Sequence, residues 1–163
     1  MWQRGPVENI ALLLQPVAHA LLQAREELAA IMKDFPEYLL WEKRAGAASA
    51  GFHLQHLSGV IDRLFTYARN EQLNAEQLQS LQKENISYNN NLSIEILIGR
   101  FSKKVDDALL QLQHTSEKTL TEQRSIGRKK IPTTVIGLLV HSAEHTMRHI
   151  GQLMVTVKFL KAK

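Results

Sequence analysis

The chain has 163 residues, of which 44% are hydrophobic and 22% are charged, and its formal net charge is +4. This length and composition are typical of one globular domain covering residues 1–163, with enough apolar residues to fill a hydrophobic core. The absence of cysteine excludes disulfides, thiolate nucleophiles and thiolate metal ligands from this chain.

The sequence lacks the features of nucleic-acid-binding, secreted and membrane proteins. Aromatic residues make up only 6% of the chain, and its one short basic block is "GRKK" at 127–130. Nucleic-acid-binding proteins usually carry clustered basic residues with stacking aromatics. The apolar start of the chain contains Glu8 and Pro16 and has no cleavage pattern of a signal peptide, and no run of 18 apolar residues occurs. We therefore expect a cytoplasmic protein that binds neither nucleic acid nor a membrane.

The first half of the chain contains two segments with the apolar periodicity of amphipathic helices. Apolar residues recur every three or four positions over residues 7–33, and Pro16 inside this run predicts a kink near residues 12–16. A second helix is predicted over residues 49–69, with Ser49 as its N-cap.

Two further helices are predicted in the second half. The third covers residues 91–114, and the asparagines at 89–91 and Ser93 are its cap candidates. The fourth starts at residues 132–134 and continues to about residue 160, because Pro132 suits the first turn of a helix.

The segments between these helices are long and polar. The link over residues 70–90 has room for a short helix at 74–83, and residues 115–131 are predicted to form a loop, since strand signals are weak throughout. Four amphipathic helices predict an all-α four-helix bundle. Links of this length permit an up-down-down-up order as readily as a simple meander.

Histidines are concentrated in the second and fourth predicted helices. His141, His145 and His149 follow one another at intervals of four, so they form one stripe of a helix. His145 and His149 form an HxxxH pair, in which two imidazoles can reach one metal ion. The second helix offers a third ligand, either His53 or His56. These two are three residues apart, so their directions differ by about 60° and both cannot point equally well at one ion.

A purely structural role for these histidines is the competing interpretation. An HxxxH pair alone is a weak signal, because buried histidines are often satisfied by a backbone or carboxylate partner. The apolar residues around the stripe and the second histidine pair favour a metal instead. Three neighbouring buried imidazoles without a carboxylate partner would be costly polar groups, and a cation would satisfy them together.

The residues flanking these histidines have simpler interpretations. His141 lies one turn before the HxxxH pair and could bind the metal, support a ligand or contact a substrate. Glu144 is about 100° round the helix from His145, which suits a surface group better than a base. Asp62 and Arg63, two turns past His56, are expected in an ion pair that connects helices. Gly151, in the middle of a predicted helix, suggests close packing against a neighbour.

Two motifs together resemble those of the DinB-like (DNA-damage-inducible) metalloprotein superfamily. They are "GFHLQHLSGVIDRLFTYA", starting at residue 51, and "HSAEHTMRHIGQL", starting at residue 141. In this family a histidine near the start of the second helix joins an HxxxH that is followed by Gly-Gln on the fourth. The matching residues here are His56, His145 and His149, and the resemblance covers nearly the whole chain.

The resemblance implies an up-down-down-up four-helix bundle in which these three histidines bind one divalent ion, commonly zinc or nickel. It also implies a homodimer and a small-molecule substrate. Several relatives are thiol-dependent enzymes, such as bacillithiol or mycothiol S-transferases, and the absence of cysteine here would require a low-molecular-weight thiol as a second cofactor. A thiol S-transferase and a hydrolase both remain open. So does a non-catalytic metal-binding bundle that acts as a stress-related or partner-binding module.

Overall fold

A computed structural model describes residues 5–84, 92–127 and 129–162. Within these residues the chain forms five α-helices: α1 (Gln15–Met32), α2 (Ala50–Ala68), α3 (Ala75–Lys83), α4 (Ile94–Gln113) and α5 (Val135–Lys161). A small antiparallel hairpin of β1 (Gln123–Ile126) and β2 (Ile131–Thr134) precedes α5. The prediction of an all-α protein is confirmed, and the hairpin is the one addition to it within the described residues.

The contacts between helices define the topology of the bundle. α2 packs against both α4 and α5, and α1 packs against the same two helices from the other side. α2 and α4 run parallel, because Asp62 pairs with Lys104 and the Phe65 carbonyl accepts from Gln111 one to two turns further along both helices.

The direction of the other two helices follows from contacts at their ends. Glu117, just after α4, accepts from the Leu13 amide just before α1, while Glu37, after α1, accepts from the Ile94 amide at the start of α4. α1 is therefore antiparallel to α4. α5 is antiparallel to α2, since His56 meets His145 and His53 meets His149. The bundle has the up-down-down-up order that the resemblance implies.

The core consists of apolar residues at helical spacing on the inward faces of the four long helices. The largest fully buried side chains are Phe101, Leu14, Leu21, Leu28, Leu40, Leu54, Leu57, Ile61, Leu97, Leu112, Leu138 and Leu139. Within the described part of the chain, no helix combines the length and apolar character needed to cross a membrane.

The prediction of a kinked first helix over residues 7–33 is wrong at its start. α1 begins at Gln15, and Pro16 lies in its first turn, where its missing amide hydrogen costs nothing. A short 3-10 turn over Leu12–Leu14 precedes it. Pro16 therefore lies in the first turn of the helix and does not bend it.

The start of the fourth predicted helix is also corrected. Pro132 lies in β2, opposite Ser125 of β1, and α5 begins at Val135 with the Thr134 side chain accepting from the Gly137 amide. A two-stranded hairpin consists of edge strands only, and edge strands tolerate proline.

The other predicted helix boundaries agree with the structure to within a few residues. Ser49 and Ser93 cap α2 and α4 through their side chains, and the short helix at 74–83 forms as α3. The cap candidates at 89–91 lie outside the described residues.

Candidate metal centre

Three histidines from two helices converge where α2 crosses α5. His56, His145 and His149 each offer a ring nitrogen, and these atoms all lie within 4.8 Å of one another. His56 Nε2 is 3.0 Å from His145 Nε2, and the rings of His56 and His149 have centroids 4.3 Å apart. The antiparallel pairing of α2 and α5 thus brings together the three residues that the sequence selected.

His53 occupies a different position beside this cluster. It is buried, with 3% of its surface exposed, and its Nδ1 lies 3.1 Å from Nδ1 of His149. Since one of these two nitrogens must donate to the other, His53 can accept the Nδ1 hydrogen of His149 and leave Nε2 of His149 with its lone pair. This placement suits a partner of a ligand better than a ligand.

His56 is held on its other side by a buried carboxylate. Its Nδ1 lies 2.7 Å from Glu84 Oε2, and the second carboxylate oxygen, Oε1, accepts from Arg63 Nη1 at 2.6 Å. Glu84 immediately follows α3 and is 5% exposed, while Arg63 is 9% exposed and lies two turns after His56 on α2. The expected ion pair of Arg63 between helices is present, with Glu84 as its partner.

The surroundings of His53, His145 and His149 favour the neutral form of these three rings. Burial lowers the pKa of His53 to about 4, with a contribution from the nearby charge of His56. Burial also lowers the pKa of His149 to about 4, assisted by the charges of His56, His145, His53 and Arg148. The pKa of His145 is lowered by burial and then by the charges of His56, His141 and Arg148. A neutral imidazole is the form that binds a metal ion.

The donor set fits a divalent cation. Two ring nitrogens from His56 and His145 face each other, and His145 Nδ1 is buried without a hydrogen-bond partner among the described residues. Neutral imidazole nitrogens are ligands for zinc, nickel and copper, and three protein ligands leave room for further coordination. Phe52 stacks on the His56 ring, with centroids 5.1 Å apart, and closes that side of the cluster.

His141 and Glu144 lie outside the three-histidine cluster, on the exposed side of α5. Glu144 pairs with Arg148, and its other carboxylate oxygen is 3.7 Å from His141 Nδ1. Both residues could share an ion with His145, but both are solvent-exposed. The interpretation of Glu144 as a surface group agrees with this geometry.

A mainly apolar cleft lies next to His145. Its walls come from one face of α2, from the region of α3 and from the hairpin, and His141 lies at its edge. The lining residues are Val60, Arg63, Leu64, Tyr67, Leu73, Leu81, Ile126, His141 and His145. The cleft therefore connects a surface that suits an apolar group with one member of the histidine cluster.

Comparison with known proteins identifies the family. The family model of the DinB superfamily matches residues 20–153, a range that contains all three clustered histidines. The chain belongs to the DinB superfamily. A comparison with curated proteins gives no match.

Two solved structures share the DinB fold of this chain. One is a protein from Streptococcus pneumoniae, with 15% identity and a TM-score of 0.66, in an alignment that covers 90% of this chain and 88% of that one. The other is an uncharacterised protein from Clostridium difficile 630, with 14% identity and a TM-score of 0.65, covering 90% and 94% of the two chains. At these identities the similarity establishes the fold alone.

Sequence reasoning missed Glu84 in this DinB-superfamily protein. The residue lies 28 positions after His56 in a polar connecting segment, and nothing in its spacing relates it to a histidine. The expectation that the imidazoles have no carboxylate partner is accordingly wrong. A signal could have come only from recognising that α3 folds back onto α2 and buries the residue at its end.

Proposed function

We propose that this DinB-superfamily protein is a metal-dependent enzyme that binds one divalent ion, zinc or nickel, through His56, His145 and His149. The observation that carries the proposal is the convergence of three imidazoles from α2 and α5, whose ring nitrogens lie within 4.8 Å of one another. The lowered pKa values of His145 and His149 support it, because a neutral ring is the form that binds a metal. A thiol S-transferase and a hydrolase are the reaction types that we consider, each acting on a small-molecule substrate.

Different residues of the chain would orient the metal ligands and contact the substrate in such a site. His56 is oriented by Glu84, and His149 is oriented by His53, so each ring can present one nitrogen lone pair to the cluster. A bound divalent ion would supply Lewis acidity, which lowers the pKa of a coordinated water or thiol. The mainly apolar cleft beside His145 offers a place for the body of a substrate.

Metal analysis of the untagged protein tests the binding step. After incubation with zinc, nickel or manganese and removal of free ions, we expect about one ion per chain in the native protein and loss of that ion in His145→Ala. His141→Ala is the matched control, because His141 lies one turn away on the same helix and outside the three-histidine cluster. A native protein that retains no ion would contradict the proposal.

A second assay decides between the enzyme and a non-catalytic module. The metal-loaded protein is offered a low-molecular-weight thiol with a chlorobenzene electrophile and, separately, a series of esters. Turnover that disappears in His145→Ala supports the enzyme. Stoichiometric metal binding without turnover on either series supports the alternative, a metal-binding bundle that serves as a stress-related or partner-binding module.

A further inference from the structure

α3 and its connection bring one buried carboxylate to the histidine cluster. None of the residues of α3 is itself buried. The helix is attached to α2 by polar contacts: the Gln77 amide donates to Asp62 and Thr66, and the Gln55 amide donates to the Glu84 carbonyl. Glu84 is therefore fixed through its backbone as well as its side chain.

The two oxygens of Glu84 have different partners with different requirements. Arg63 can only donate hydrogen bonds, so it fixes Oε1 as an acceptor at 2.6 Å. Oε2 faces His56 Nδ1 at 2.7 Å, and an ionised carboxylate can only accept. The hydrogen of a neutral His56 ring must then be on Nδ1, which leaves Nε2 as a lone pair directed at His145.

We propose that Glu84 is a positioning residue for the metal centre, which fixes His56 as the Nδ1–H tautomer and so makes its Nε2 available as a ligand. This inference rests on the proposed function, since it assigns a role toward the same ion. Histidine ligands commonly donate their second ring hydrogen to a carboxylate, and loss of that partner typically weakens metal binding 10–100-fold. Arg63 contributes indirectly: it donates a hydrogen bond to Glu84 Oε1 and so fixes the orientation of the carboxylate.

The substitution Glu84→Gln makes this role measurable because of Arg63. The guanidinium requires an acceptor, so it takes the amide oxygen and turns the amide NH₂ toward His56. An NH₂ group can only donate, which forces Nδ1 of His56 to accept and moves its hydrogen to Nε2. The nearly isosteric change should therefore invert the tautomer of His56 and block the nitrogen that would bind the ion.

The experiment measures zinc affinity by chelator competition in the native protein, in Glu84→Gln and in Asp62→Asn. Asp62 is the matched control, because it also connects α2 to α3 and α4 through its carboxylate but contacts no histidine. We expect about a 10–100-fold loss of affinity in Glu84→Gln and less than about a twofold change in Asp62→Asn. Equal affinities in the two variants would overturn the proposal.

A double variant separates tautomer control from simple loss of structure. Arg63→Met combined with Glu84→Gln removes the competing donor, so the amide oxygen can return to His56 Nδ1. We expect the double variant to bind zinc more tightly than Glu84→Gln alone. A purely structural role predicts the opposite, because the double variant loses a second buried contact, and this result would also overturn the proposal.

Ring-nitrogen NMR shifts of the metal-free proteins keep the two proposals distinguishable. These shifts report which nitrogen of His56 carries the hydrogen, with no ion present. We expect Nδ1–H in the native protein and Nε2–H in Glu84→Gln. If the native protein binds no metal, the proposed function fails, and an unchanged tautomer in Glu84→Gln would still refute the role of Glu84.

Discussion

Gly59 provides the space in which the buried ion pair of Glu84 and Arg63 forms. It lies on α2 between His56 and Arg63, and a Cβ atom at this position would overlap both the guanidinium of Arg63 and the carboxylate of Glu84. The absence of one side chain on α2 is thus what allows a charged pair to be buried against the helix.

The substitution Gly59→Ala has two opposite effects on the free energy of unfolding: it raises helix propensity and it displaces the ion pair. Alanine gains about 1 kcal/mol in helix propensity over glycine. Displacing a buried, hydrogen-bonded charge pair costs about 3–5 kcal/mol when a partner is lost. Both partners remain in Gly59→Ala, so only part of that cost applies, and we expect a net destabilisation of about 1–3 kcal/mol in urea unfolding.

The control for this prediction is Gly99→Ala in α4. No atom among the described residues lies within 4 Å of a Cβ built at Gly99, so only the propensity term applies. We expect a gain of up to about 1 kcal/mol in stability. Destabilisation of both variants by the same amount would show that Gly59 has no special role in accommodating the ion pair.

The sequence predicts the roles of some single residues in the site and fails for others. His145 and His149 could be selected because helical periodicity defines locally the one helix face on which both lie. The spacing left His53 and His56 open as the third ligand, and only the resemblance to the DinB-like family favoured His56. Glu84 could not, since its role depends on how a polar segment folds over α2. The expectation of close packing at Gly151 is wrong: this glycine is exposed, and nothing among the described residues lies within 4 Å of its added Cβ.

At the scale of elements, α5 is the helix that provides two of the three clustered histidines. It starts directly after β2, and its first turn is capped by the Thr134 side chain, 3.1 Å from the Gly137 amide. The sequence does not predict the hairpin, because its strands have only four residues each, contain no buried residue, and include Pro132. The four long helices were predicted because their buried apolar positions recur with a period that strands cannot satisfy.

We expect Thr134→Ala to lower the free energy of unfolding by about 1 kcal/mol, the usual cost of losing an N-cap side chain. The zinc affinity should stay within about twofold of native, because His145 lies about three turns further along the chain in α5. Urea unfolding and chelator competition on the same samples check both parts. A large loss of affinity with unchanged stability would show that the start of α5 contributes to the metal centre directly.

At the scale of the whole molecule, the buried histidines make the stability of the metal-free protein depend on pH. Histidine in the unfolded chain takes up a proton near pH 6.5, whereas the pKa of His53 and of His149 in the folded protein is about 4. Between these values the unfolded chain binds more protons. Stability is therefore fully present above about pH 6.5 and is lost as the pH falls toward 4.

We expect the free energy of unfolding to decrease by about 1–3 kcal/mol from pH 7 to pH 5 in the presence of a chelator. His53→Gln should reduce this dependence. His114→Gln should retain it, because the His114 ring is exposed at the end of α4, where its Nδ1 lies 2.8 Å from the Leu110 carbonyl oxygen. Chemical unfolding at a series of pH values tests the prediction, and a flat profile in the native protein would contradict it.

The antiparallel crossing of α2 and α5 joins His56 to a histidine 89 positions later in the chain. An unfolded chain that brought these residues to one ion would have to close a loop of that length, at an entropic cost of about 4 kcal/mol or more. The HxxxH pair alone offers only two ligands, and only while its segment is helical. An ion bound by all three histidines would therefore bind the folded bundle and not the unfolded chain. Metal binding would then raise the free energy of unfolding, and unfolding would release the ion.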